Sequence, residues 1–309
     1  MNNKILNNKK FITVLGGSGF LGSHISDILT SKGYRVTIVD KTKSKWLNKK
    51  QFFFKADLNT PHDYQHILKK SDYVFNFAAI ADIEEANQNP IKTAETNIFS
   101  LVKVLDLCSK FKVKRFIQAS SVYVSGEFGG FYKSSKVAAE SFIKEFFKIR
   151  GLKYSILRYG TLYGPRSSEN NGLHNIIKKA VKNNKIVYSG NKNSVRSYIH
   201  VLDAARISLK ALDKDFENKT VIITGPENIN INFILRAISE ISGIKKISII
   251  KKNKAKIISH YVSTPYNLDN QNTFTFKYSD NLNIELGQGL KDLIKELKRK
   301  YQWKKRRKK

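Results

Sequence analysis

Tyr132-Lys-Ser-Ser-Lys136 sets a phenol and an ammonium four residues apart at the head of a helical stretch. That spacing brings both side chains to one helix face. A phenol of pKa ~10 is a poor base at neutral pH, and a neighbouring cation stabilises its phenolate. Just upstream, Ser120 and Ser121 follow the apolar run Arg115-Phe-Ile-Gln-Ala119. Either hydroxyl can bind the substrate oxygen whose proton the phenol takes. Tyr-x-x-x-Lys arises by chance in a lysine-rich chain, so the combination carries the argument and no single piece does. A second constellation lies near the start, where Gly16-Gly-Ser-Gly19-Phe-Leu-Gly22 follows Phe11-Ile-Thr-Val-Leu15 and opens a helical pattern. Glycines admit a pyrophosphate against the backbone, and the helix N-terminus offers N–H groups and the positive end of its dipole. Asp40 ends the next apolar run, placed to accept from both hydroxyls of an adenosine ribose and to repel a 2′-phosphate. These residues predict NAD. Lys41, Lys43 and Lys45 just beyond keep NADP as the alternative. A nicotinamide cation adds to the stabilisation of the Tyr132 phenolate.

The chain that must position these groups alternates between two periods. Residues 11–15, 34–39, 52–56, 73–77, 115–119 and 154–157 read as short buried strands. Residues 20–31, about 96–111 and about 132–150 read as helices, the first with Leu21, Ile25, Ile28 and Leu29 on one face. Strand and helix in alternation predict a parallel sheet covered on both faces. After Gly164-Pro165 the alternation loosens. Helices are expected over 173–183, 233–242 and 290–301, and strands over 195–202 and 220–224.

At 309 residues, 41% hydrophobic and 26% charged, the chain is globular and long enough for one large domain or two unequal lobes. No apolar run approaches the ~18 residues of a membrane-spanning helix. The Asn/Lys-rich start has no apolar stretch of the signal-peptide kind. The single cysteine, Cys108, excludes an intramolecular disulfide framework and reads as a small core or interface residue. A cytoplasmic protein is expected. The net charge is +31, carried by 45 lysines and 11 arginines spread beside many Asn and Ile. Its first reading is a compositional bias on solvated faces, which makes nucleic acid an unfavoured partner. Its second is a field that attracts polyanions or phosphorylated substrates. Residues 298–309 hold nine basic residues in twelve, an expected mobile tail suited to weak, reversible contact with anionic lipid. His62 and His66 have the spacing of two metal ligands but no third ligand, so no metal is predicted. His200 reads as structural.

Taken together, the motifs resemble the extended short-chain dehydrogenase/reductase family, especially its NAD-dependent nucleotide-sugar epimerases and dehydratases. The resemblance spans about residues 11–300. It includes Asp57-Leu58, Asn76-Phe-Ala-Ala79, Thr96-Asn97, Leu157-Arg-Tyr-Gly-Thr-Leu-Tyr-Gly-Pro-Arg166 and Arg196-Ser-Tyr-Ile-His-Val-Leu-Asp203. It implies an α/β Rossmann-type doubly wound parallel sheet with a smaller C-terminal substrate-binding lobe. Residues 1–165 would form the NAD-binding domain and 166–309 the lobe, with 195–224 returning to the first domain. It implies Ser121, Tyr132 and Lys136 as catalytic residues, Ser120 replacing Ser121 if the register slips by one. Lys136 would also hold the nicotinamide ribose. Gly16, Gly19, Phe20, Leu21, Gly22, Asp40, Asp57, Leu58, Phe77, Ala78, Ala79 and Asn97 would line the cofactor. Thr161, Arg166, Arg196 and Ser121 would meet the substrate, with Arg196 on the nucleotide diphosphate. It also implies a homodimer through a four-helix bundle. Leu101, Val104, Leu105 and Cys108 on one helix and Val137, Phe142, Phe146 and Phe147 on the other look surplus to a single sheet-facing stripe.

The departures from the family pattern bear on chemistry. Asn76 stands where His is usual, Thr161 where a substrate-contacting Asn is common, and Ser125 where Val-Tyr-Gly has its tyrosine. Only Glu127 to Phe131 separate Gly126 from Tyr132, a short loop beside the sugar. Val122-Tyr123 follows Ser121 where family dehydratases and decarboxylases carry acids, which argues against dehydration and leaves redox at one carbon. The leading expectation is epimerisation of a nucleotide sugar at C4 through a transient 4-keto intermediate. The alternatives are an NAD(P)-dependent oxidoreductase of a keto-sugar and a non-catalytic NAD-binding protein that contacts RNA. The intact Ser/Tyr/Lys set argues against the last.

Overall fold

A computed structural model of the chain describes residues 10–250, 260–265, 275–278 and 282–306, with side chains to residue 301. The first part runs β1 (Phe11–Leu15), α1 (Phe20–Ser31), β2 (Arg35–Asp40), β3 (Phe52–Lys55), α2 (Pro61–Leu68), β4 (Tyr73–Asn76), α3 (Ile83–Gln88), α4 (Pro90–Ala94), α5 (Ser100–Lys110), β5 (Arg115–Ser121), α6 (Gly130–Arg150) and β6 (Tyr154–Tyr159). The second runs β7 (Thr161–Tyr163), α7 (Gly172–Asn183), β8 (Ile186–Tyr188), β9 (Val195–Arg196), β10 (Tyr198–His200), α8 (Val201–Leu209), β11 (Lys219–Ile223), β12 (Ile229–Asn230), α9 (Ile231–Ser242), β13 (Ile247–Ile249), β14 (Thr275–Tyr278) and α10 (Leu286–Arg306).

Eight strands form one parallel sheet in the order β14-β11-β6-β5-β4-β1-β2-β3. Chain order reverses between β1 and β4, which opens a crevice at their C-terminal ends, the place where such sheets bind ligands. Alternation along β1 sends Ile12 and Val14 to one face and Leu15 to the other. The first face is covered by α1 and α8 through Ile25, Leu29, Ala204 and Ile207. The second is covered by α2, α5 and α6 through Tyr64, Leu101, Leu105 and Ile143. The doubly wound parallel sheet is the expected fold.

A separate core joins α7, α9 and α10 through Leu173, Ile177, Ile234, Leu290, Leu293, Ile294 and Leu297. Each such burial contributes roughly 1.5–3 kcal/mol, which anchors an otherwise lysine-rich last helix. β11 lies in the main sheet, with Val221 beside Leu157, and α8 packs on α1.

Three expectations are corrected. Residues 195–202 are two short strands, since β9 pairs with β12 and β10 with β7, and a helix starts at Val201. The basic end is helical to Arg306, because the Leu290–Leu297 seam carries the helix on; 307–309 lie outside the described residues. Leu101, Val104, Leu105 and Cys108 are no surplus: they are the sheet-facing stripe of α5, each 1% exposed or less. Phe146 and Phe147 also pack against that core. Val137 and Phe142 are exposed as expected, and Ile91, Phe99, Phe131 and Ile149 are the other exposed apolar side chains on these helices and their flanks. No helix among the described residues is long and apolar enough to cross a membrane.

Candidate active site

The turn from β1 into α1 is built for close approach. Gly16 has φ +72°, and a Cβ there would collide with the Ala78 backbone after β4. A Cβ on Gly22 would strike the Gly16 carbonyl. Gly19 precedes α1 with no side-chain cap, so the amides of Phe20, Leu21 and Gly22 face outward for an anion. Asp40, at the tip of β2, accepts from the Ser18 and Thr42 amides at 3.1 Å each. Beside it lies a cleft of about 260 Å³ lined by Ser18, Gly19, Asp40, Thr42, Lys43, Ser44, Lys45 and Trp46. The Ser18 hydroxyl is buried without a protein partner. Bare backbone, an uncapped helix start, a carboxylate and an orphaned hydroxyl fit a dinucleotide.

The remaining cofactor candidates end neighbouring strands. Asp57 follows β3 and pairs with Lys41 at 2.9 Å. Burial works against its ionised form, but the Asn59 amide and Lys41 outweigh that and hold it below the usual carboxylate range. Leu58 packs under it in the second-face core. Phe77, Ala78 and Ala79 follow β4, half-buried. Asn97 is differently employed. It sits in a π-helical turn over Glu95–Phe99. Its Oδ1 accepts from Ile80 N at 2.8 Å, and its Nδ2 donates to Ile80 O and to Ser135 Oγ at 3.0 and 2.9 Å. It thus ties the loop after β4 to α6. Asn76, in place of the usual His, is likewise spent on Gln118 and the Ala78 amide.

The catalytic candidates meet at the end of β5. Ser120 and Ser121 point to opposite sides of the strand. Ser120 donates to Glu140 at 2.6 Å, and Ser121 lies close enough to the Tyr132 phenol to pull its pKa down. The Ser121 oxygen also accepts from Tyr123 N at 3.3 Å. Tyr132 and Lys136 are both buried, with the Lys136 Nζ 5.8 Å from the phenol ring centroid and donating to Ala119 O at 3.0 Å. Burial raises the Tyr132 pKa, and Ser121 partly opposes it. Burial lowers Lys136 to about 8, with Glu140 pulling the other way. Arg158 grips Glu140 through two bonds, of 2.9 and 2.7 Å, and reaches Ser125 at 3.3 Å.

An aromatic bridge runs from this cluster to Arg196. The Tyr123 ring stands edge-on to Tyr132 at 6.1 Å and lies 4.4 Å from Tyr261. Arg196 sits 4.2 Å over Tyr261, its Nη1 donating to the carbonyls of Val195 and Val262. Tyr123 Oη is hydrogen-bonded to His260 Nδ1 at 2.8 Å. Thr161, on β7, is half-buried, with its amide on Ser197 O. Arg166 goes elsewhere: it pairs with Asp27 of α1 at 2.7 Å and lies over Trp46. His200 caps α8, accepting from Leu202 N, and burial holds it down to about 4. His62 pairs with Asp63, and His66 packs on Phe54.

Sequence reasoning passed over Glu140, Arg158, Tyr261, His260 and Trp46. Glu140 had a signal, since it continues the four-residue series Tyr132, Lys136 on one helix face. Tyr261 and His260 had none, because they lie in a stretch without periodicity.

Known proteins give a consistent picture. The chain is 28% identical over 262 residues to a provisionally named UDP-glucose 4-epimerase of Methanocaldococcus jannaschii, covering 78% of this chain and 85% of that one. It is 25% identical to a UDP-N-acetyl-alpha-D-glucosaminuronate decarboxylase of Bacillus cytotoxicus, covering 76% and 81%. The structure is similar, at TM-score 0.80 and 25% identity, to a UDP-glucose 4-epimerase from Thermotoga maritima with UDP-glucose, over 94% of this chain and 99% of that one. The model of the NAD dependent epimerase/dehydratase family matches residues 12–231, so the chain belongs to that family, and NAD is its cofactor.

Proposed function

We propose that the protein epimerises a nucleotide sugar at C4 through a transient 4-keto sugar. The carrying observation is the buried Ser121–Tyr132–Lys136 cluster at the end of β5, joined by aromatic contacts to Arg196. The relatives' names favour a UDP-sugar. Ser121 orients the O4 hydroxyl, and Tyr132 takes its proton as general base. Lys136, held on Ala119 O, keeps a positive charge beside the phenol so that the phenolate can form. NAD, when bound, would supply the hydride acceptor and donor that C4 needs. Arg196 anchors the diphosphate while the keto sugar presents its other face. Tyr132, now the acid, then returns the proton to O4. Gly16, Gly19, the first-turn amides of α1, Asp40, Asp57 and Lys136 would hold the cofactor.

The test is turnover of UDP-, dTDP- and GDP-hexoses, with C4 epimers separated by chromatography and reduced nicotinamide followed by absorbance. Interconversion without stoichiometric absorbance change is expected. Stoichiometric accumulation or consumption of NADH would replace this reading with a net oxidoreductase. Tyr132→Phe should keep its NAD and lose roughly 10²–10⁴-fold in turnover; full activity in that variant ends the assignment.

A further inference from the structure

The resemblance puts Arg166 at the substrate, whereas the fold stacks it on Trp46, a residue that lines the cleft beside Asp40. Trp46 lines that cleft together with Ser18 and Gly19 of the glycine turn. The Arg166 guanidinium lies 5.3 Å from the Trp46 ring centroid. Its Nη2 pairs with Asp27 at 2.7 Å, and Asp27 also accepts from Gln51 Nε2 at 3.0 Å. One guanidinium therefore clasps three segments that have no strand pairing between them. These are α1, the loop between β2 and β3, and the exit from β7.

The backbone is bent to allow this. Arg166 has φ +66°, uncommon for a residue with a Cβ, and Gly164 has φ +134°. Such conformations persist where the surroundings over-determine them. Here the Asp27 pair, the Trp46 stack and the contact of His24 Nε2 with Pro165 O at 3.0 Å do so. The bend brings the side chain to Asp27 of α1 and to Trp46. The Nη1 atom is buried without a protein partner, so its two N–H groups would be satisfied by an oxygen of the cofactor.

We propose that Trp46 and Arg166 form a strap across the adenosine end of NAD, and that the cofactor leaves only when the Arg166–Asp27 clasp opens. The inference rests on NAD as the cofactor and is independent of the sugar and of the carbon that reacts. A cofactor that regains its starting state in every turnover has no need to leave, so slow release suits this chemistry. A residue beyond β7 thereby governs retention at the glycine turn.

Full-length protein loaded with NAD is diluted into excess NAD glycohydrolase, which destroys released cofactor, and the bound NAD is quantified over time. In Arg166→Ala and in Asp27→Asn, release is expected to be about tenfold faster, equivalent to about 1.4 kcal/mol. Asp27 touches Arg166 rather than the cofactor, so a change there reports the clasp. The chain has two tryptophans. With Trp303→Phe as background, Trp46 emission should shift when NAD is loaded. Release from Asp27→Asn and Arg166→Ala within twofold of the parent, or Trp46 emission indifferent to NAD, overturns the strap. If Arg166→Ala fails to fold, Asp27→Asn and the Trp46 emission decide the matter alone.

Discussion

Replacing Lys136 with methionine is expected to strengthen the fold while disabling the site. Lys136 is 5% exposed, and burial holds its ammonium down to about 8 from the ordinary 10.5, Glu140 offsetting only part of the effect. At ~1.36 kcal/mol for each tenfold step, keeping that charge at pH 7 costs about 3 kcal/mol. Methionine removes the cost. It also removes the bond to Ala119 O, worth ~1 kcal/mol, but that carbonyl keeps the Gln118 side-chain amide as a donor. A net gain of about 2 kcal/mol remains at pH 7. The pH dependence gives the decisive sign. Between about 8 and 10.5 the unfolded chain holds a proton on Lys136 that the folded chain has lost, so wild-type stability rises with pH. From pH 7 to 9.5 that rise is about 2 kcal/mol, and the variant lacks it. Urea melts of both NAD-stripped proteins at the two pH values measure it, and the double difference cancels the other lysines. An identical gap between the proteins at both pH values would refute the reasoning. Turnover of Lys136→Met should fall steeply, because burial raises the Tyr132 phenol with no cation left to oppose it.

Other expectations separate neighbours that resemble each other in sequence. Ser121→Ala should cost at least tenfold in turnover, about 1.4 kcal/mol. Ser120→Ala should act on stability, by ~1–3 kcal/mol in urea melts, through loss of its bond to buried Glu140. Gly16→Ala should abolish NAD retention on gel filtration, since φ +72° and the Ala78 backbone leave no place for a Cβ. Sedimentation at micromolar concentration should show a dimer built on Ile91, Phe99, Val137 and Phe142; a monomer removes that proposal.

The sheet was legible because its strands are short apolar runs that end in the residues of the crevice, such as Leu15 before Gly16 and Val39 before Asp40. Period and punctuation suffice where an element is buried on both faces. The choice between Ser120 and Ser121 was not legible, because it depends on which way the strand faces at its tip, and Glu140 reveals that only once α6 is in place. Arg166 misled for a similar reason. Its neighbourhood fits the family motif, but its direction is set by a positive φ and by Asp27, 139 positions away in the chain. The aromatic bridge was invisible because Tyr261 comes from a stretch whose side chains follow neither a strand nor a helix period.

That bridge bears on why the proposed chemistry stops at one carbon. A keto sugar is primed to lose a proton next to its carbonyl, and a base at the position after Val122 would take it. Tyr123 occupies that position. Burial raises its pKa, and the nearby Arg196 opposes this only in part. Its hydroxyl is engaged with His260 Nδ1, and its ring is pinned between Tyr132 and Tyr261. A phenol so placed stays protonated at neutral pH and keeps its edge toward the catalytic ring. Tyr132 differs in having Ser121 close to its phenol and Lys136 beside its ring. Of Tyr123 and Tyr132, only Tyr132 has the Lys136 ammonium beside its ring, whereas the Tyr123 hydroxyl is engaged with His260, so the proposed proton exchange falls to Tyr132. On the proposed reading, a keto sugar at this site would have one way forward, the return of the hydride and proton it gave up.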